Sequence, residues 1–202
     1  MVTAGLSQPS STRLLADRLT AATERFLRAS GIEPTLEIVE LREYAQDLTN
    51  NLLTGFPVPR LRIVIDQVIQ ADGLIALTPI FNASYSGLFK LFFDVLERDS
   101  LDGKPVLIGA TGGTPRHSLA LEHAVRPLFV YLGAAVVATS VYAAAEDWGE
   151  ATDVDDGGLV DRIERAAQEL ARAIVVRERP APSDPFAEPT PFEELLRASP
   201  GR

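Results

Sequence analysis

Apolar positions along this chain fall into two alternating patterns. Short continuous or period-two runs mark buried strands, and runs spaced by three and four mark helices. Between Ser11 and Ala29 the residues Leu14, Leu15, Leu19, Ala22 and Phe26 recur at helical spacing. Leu36-Glu37-Ile38-Val39-Glu40-Leu41 alternates and predicts a second strand towards the sheet edge. Residues 42–53 and 60–71 predict short helices, separated by Thr54-Gly55-Phe56-Pro57-Val58-Pro59. A third strand is expected over 73–78 with its helix over 87–99, and a fourth over 105–111 with its helix over 116–132. Residues 134–142 predict a fifth strand and 158–176 a last helix. The first strand is confined to residues 1–4, short for a central position.

Strands alternating with helices imply a parallel sheet covered on both faces. In such sheets ligands bind beyond the carboxyl ends of the strands, where the strand order reverses. Three polar loops occupy those places: Gly5 to Thr12, Thr78 to Gly87, and Thr111 to Pro115. The absence of G-x-G-x-x-G after the first strand argues against a Rossmann dehydrogenase. A phosphorylation receiver is equally disfavoured, because the third strand ends in Thr78-Pro79 where that class needs an acceptor aspartate.

Each loop has chemistry of its own. Ser7, Ser10, Ser11 and Thr12 place four hydroxyls where a helix begins, a ready site for a phosphate. Ordinary N-capping accounts for one of them. Arg13 follows, on the helix itself. In the second loop Pro79 fixes the turn, Ile80 and Phe81 suit a flat ring, and the backbone near Asn82 suits its polar edge. In the third, Gly112-Gly113 allows close backbone approach to a planar ligand. Trp148, the one tryptophan, follows the fifth strand, where a surface or packing role is favoured over covering a ligand ring.

Composition narrows the field. With 202 residues the chain makes one domain, residues 1–178, and a tail over 179–202 that holds six of the 14 prolines. Phe186 and residues 191–196 are the tail's expected anchors. A net charge of −9 argues against nucleic acid. It leaves room for an anionic cofactor held by backbone amides. No cysteine and two histidines make a metal site an unfavoured reading. No apolar run approaches the roughly 20 residues of a membrane span, and no signal peptide precedes the fold. The expected setting is therefore soluble and cytoplasmic.

Taken together, Ser7-Gln8-Pro9-Ser10-Ser11-Thr12, Thr78 to Gly87 and Thr111-Gly112-Gly113-Thr114-Pro115-Arg116-His117 resemble the NAD(P)H-dependent FMN reductases of the flavodoxin-like fold. Glu122 to Leu128 resembles the helix that follows in that group, and the likeness spans roughly residues 1–175. It implies an α/β, three-layer, doubly wound sheet of five parallel strands in the order 2-1-3-4-5. It also implies FMN held by Ser7, Ser10, Ser11, Thr12, Pro79, Ile80, Phe81, Asn82, Ser84, Thr111, Gly112, Gly113 and His117, with NADPH or NADH as co-substrate. The second loop departs from the family in being uncharged, since Phe81 and Asn82 stand where a tyrosine and a basic residue are common. His123 and Arg126 are expected to serve packing or a subunit contact. The resemblance further implies a homodimer or homotetramer, reduced flavin delivered to a partner monooxygenase, and no catalytic side chain for the hydride step. A quinone or azo reductase with bound FMN and a flavodoxin-type carrier are the competing readings.

Overall fold

The computed structural model describes residues 1–148 and 158–177. In chain order the strands are β1 (Val2–Thr3), β2 (Val39–Glu40), β3 (Leu74–Phe81), β4 (Ser84–Tyr85), β5 (Pro105–Gly112), β6 (Ala135–Val136) and β7 (Val141–Ala144). The helices are α1 (Ser11–Ala29), α2 (Ala45–Thr54), α3 (Pro59–Gln70), α4 (Gly87–Asp94), α5 (Arg126–Tyr131) and α6 (Leu159–Val176). The parallel order is β2-β1-β3-β5-β6, with β7 also paired to β5 and β4 antiparallel to β3. The expected 2-1-3-4-5 order thus holds as five parallel positions, but these carry six parallel strands, and antiparallel β4 makes seven rather than five.

The two extra strands have physical origins. β4 arises because β3 runs past its expected end at residue 78 and folds back, pairing Ile80 with Tyr85 and Phe81 with Ser84. The fifth position, expected to be continuous over 134–142, is broken. β5 advances three residues between Val106 and Gly109 while its neighbour advances five, from Val136 to Val141. Side chains hold this longer stretch. Arg126 donates to the carbonyls of Val137 and Ala138, and Glu169 of α6 accepts from the amide and hydroxyl of Thr139.

Other boundaries also moved. β2 shrinks from 36–41 to two residues because β1 offers it only two partners, Val2 and Thr3. The helix expected over 42–53 begins as a 3-10 turn, Leu41–Tyr44. That expected over 87–99 stops at Asp94. That expected over 116–132 divides into a 3-10 turn Pro115–His117, a π turn Leu121–Val125 and α5. Pro127 lacks the N–H that a continuous ladder requires there. Residues 149–157 and 178–202, and with them the expected tail and its anchors, lie outside the described residues.

Alternation along β3 and β5 divides the core into two layers. Ala76 and Ile108 face Leu48, Leu61, Val64, Phe89, Phe93 and Phe129 of α2–α5. Ile75, Leu77 and Leu107 face Leu15, Leu19, Ile163 and Leu170 of α1 and α6. One cation lies inside: Lys104, fully buried, caps the end of α3 by donating to the carbonyls of Ile69, at 3.0 Å, and Ala71. Among the described residues no helix is long and apolar enough to cross a membrane.

Candidate flavin cleft

At the carboxyl ends of β1, β3, β5 and β7 the chain leaves a cleft of about 530 Å³. Its first wall is the turn from β1 into α1. Ser10 caps the helix, its Oγ accepting from the Arg13 amide at 3.2 Å. Gly5 passes so close that a Cβ there would overlap Ser10 Oγ. Thr12 is buried, and its hydroxyl meets that of Thr111 at 2.7 Å, which pins the helix start to the end of β5. The amides of Ser11 and Thr12 in this first turn have no intrahelical partners. Ser7, Ser10, Ser11 and Thr12 all line the cleft, as does Leu6.

Among the described residues, no cationic side chain lines the cleft. Arg13 pairs with Asp17 at 2.8 Å and with Glu40. The Asp17 hydrogen bond, and then the charges of Asp17 and Glu40, hold its guanidinium above its ordinary range. Arg42 also pairs with Glu40, and it donates to the Ser7 carbonyl at 3.3 Å. Among the described residues, the polar groups that line this end of the cleft are helix-start amides and hydroxyls.

The second wall is the β3–β4 hairpin, where the sequence suggested only a loop. Asn82 and Ala83 form its turn with φ of 48° and 66°. Positive φ at both central residues matches the twist of paired strands. The arm is anchored by buried Thr78, whose Oγ1 accepts from the Ser86 amide at 2.9 Å, while Ser86 caps α4. Pro79, Ile80 and Phe81 line the cleft, and Phe81 remains 46% exposed. Asn82 and Ser84 do not line it: the first is spent on the turn, the second on pairing with Phe81.

The floor is the end of β5. Thr111, Gly112 and Gly113 line the cleft, whereas His117 does not, lying at the end of the following 3-10 turn. The two glycines differ in purpose. A Cβ on Gly112 would overlap Tyr142 Oη, whereas one on Gly113 would meet nothing within 4 Å. Tyr142 Oη donates to the Thr114 carbonyl at 2.8 Å. Burial, and then nearby Asp147, push its pKa above the usual 10.0, so it stays a donor.

The last wall, Ala145 and Trp148, lies on the 3-10 turn Ala145–Trp148 after β7. Leu6, Ala145 and Trp148 were not among the expected site residues. Leu6 lies within the first expected loop, and a lone tryptophan following a strand was the signal for the Ala145–Trp148 wall.

The sequence profile of the NADPH-dependent FMN reductases matches residues 1–149. The chain belongs to this family. An FMN reductase (NADPH) of Pseudomonas aeruginosa is 34% identical over 170 residues, covering 84% of this chain and 88% of that protein. The NADH-dependent FMN reductase SfnE of Pseudomonas putida is 35% identical, covering 81% and 85%. Among solved structures, an oxidoreductase from Corynebacterium diphtheriae superposes with a TM-score of 0.83 at 43% identity, over 88% of this chain and 96% of that one. All three loops that line the cleft fall inside the segment matched by the FMN reductase family.

Proposed function

We propose that the chain is an NAD(P)H-dependent FMN reductase and that FMN occupies the cleft between α1, the β3–β4 hairpin and the end of β5. The observation that carries this reading is the donor set. One cleft joins the capped first turn of a 19-residue helix to an apolar wall and to a glycine whose missing Cβ leaves open space. Family membership and the named activities of the relatives support it.

The residues present suit FMN. The amides of Ser11 and Thr12, with the hydroxyls of Ser7 and Ser10, would hold the phosphate. Pro79, Ile80 and Phe81 would keep water from the ring, and Gly113 would let the backbone approach it. When bound, FMN supplies the redox chemistry, accepting hydride from NADPH or NADH and passing electrons to an acceptor. The chain's part is position and exclusion of water; no titratable side chain other than hydroxyls lines the cleft among the described residues. The acceptor is a flavin-dependent monooxygenase, as the resemblance of the loops implies. Exposed Leu119, Val130 and Tyr131 around α5 support assembly as a homodimer or homotetramer.

Ser11→Asp tests the phosphate end. A carboxylate in the first turn favours α1, so the fold is retained. Like-charge repulsion in a partly desolvated cleft should weaken FMN by about tenfold or more, while riboflavin, which lacks the phosphate, stays within about threefold. Absorbance titration with each flavin reads both values. Equal loss for the two flavins, or no binding of FMN by the unaltered protein, overturns the reading.

A further inference from the structure

Trp148 is the chain's single tryptophan, and two arginines fix its place in the cleft wall. Arg18 of α1 lies over the indole, 5.1 Å from the ring centre. Arg162 of α6 acts on the backbone that carries Trp148. It donates to the Tyr142 carbonyl at 3.1 Å and to Asp147 Oδ1 at 2.9 Å. The other oxygen of Asp147 accepts from the Ala144 amide at 2.6 Å. A cation–π contact on a half-buried ring and a charge-assisted fork on the adjoining residue are strong restraints for a four-residue turn.

The sheet says where that restraint is aimed. At this end Thr111 of β5 pairs with Pro79 of β3 on one side and with Ala143 of β7 on the other. Phe81 ends β3 and Trp148 follows β7, so an aromatic residue stands on each of the two strands that neighbour the end of β5, and both line the cleft. Arg18 covers the indole and Trp148 lines the cleft, so a held, flat and largely apolar side chain forms part of its wall. An aromatic side chain already held in place loses little entropy when a planar ligand meets it.

We infer that Trp148 contacts bound flavin as the second aromatic wall of the cleft, and that Arg18 and Arg162 are positioning residues that hold it there. The inference rests on the cleft being the FMN site. It predicts that flavin affinity depends on α6, which contributes no lining residue of its own.

The test is the dissociation constant of FMN, read by absorbance on the full chain, together with the emission of Trp148 before flavin is added. Trp148→Ala should weaken FMN by about tenfold, and Trp148→Phe by about threefold, the range expected for losing or trimming one aromatic contact. Arg162→Met should weaken FMN and shift the Trp148 emission to the red, and Arg18→Met should do the same. Arg162→Lys should restore part of both effects, since an ammonium replaces one arm of the fork. Arg25→Met serves as control, because it breaks the Arg25–Glu164 pair between α1 and α6 without touching the Trp148 turn. It should leave both readouts unchanged. Wild-type affinity in Trp148→Ala overturns the inference while the FMN site stands. Unchanged emission and affinity in Arg162→Met overturns the positioning role. Failure of the unaltered protein to bind FMN removes the cleft reading and this inference together.

Discussion

Adjacent identical residues serve different ends at the floor of the cleft. Gly112 is small because Tyr142 needs the space to reach the Thr114 carbonyl, whereas Gly113 is small beside open volume. Gly112→Ala should therefore cost about 1–3 kcal/mol, by overpacking and by displacing a partly buried hydrogen bond. Gly113→Ala should unfold as the wild type does and lose flavin affinity instead. Denaturant melts beside FMN titrations separate the two; equal melts would show that Tyr142 gives way freely. The sequence showed both glycines as one signal, because their difference is made by Tyr142, 30 residues away from Gly112 along the chain. Ser10 was ambiguous in the same way. Its hydroxyl caps α1 and the residue also lines the cleft, so the cap and the proposed phosphate contact fall to one side chain.

At the level of elements, hydrophobic period located nearly every strand and helix, because both faces of a parallel sheet must be apolar. It did not reveal where elements break. Glu122 links the π turn to the interruption between β6 and β7: it receives Arg126 at 2.5 and 3.0 Å and the Ser140 hydroxyl at 2.7 Å. Such contacts between a turn and a strand leave no periodic trace. The Arg126 hydrogen bond, reinforced by Ser140, holds the Glu122 carboxyl below its usual 4.5. A carboxyl whose folded pKa is lowered adds stability above its unfolded value and loses it as pH falls through the folded one. Stability of the wild type should thus decline below about pH 4.5 through this group. Glu122→Gln should be less stable at neutral pH and show a shallower acid decline. Parallel acid curves for the two proteins would count against this link. The hairpin was hidden for another reason, since Asn82-Ala83 lacks the glycine that usually announces such a turn.

For the whole molecule, the candidate cleft lies at the carboxyl ends of the parallel strands, where the loop pattern and the strand order expected a ligand. The cleft gathers the three expected loops, but its fourth wall comes from beyond the fifth strand, a segment the loop pattern did not include. The architecture also sets the chemistry of the surface. The sequence holds two lysines, Lys90 and Lys104. Lys90 stands on α4 beside Asp94 and is partly open to solvent, while Lys104 is sealed under α3 by the carbonyls it caps. An amine-reactive reagent applied to the native protein should therefore acylate the Lys90 side chain and spare that of Lys104. Peptide mass mapping after a short pulse reads the ratio, and early modification of Lys104 would contradict its burial. In rising denaturant, Lys104 should become reactive only as α3 lifts from the sheet. The cap on one helix thus doubles as a covalent clock for the opening of the core.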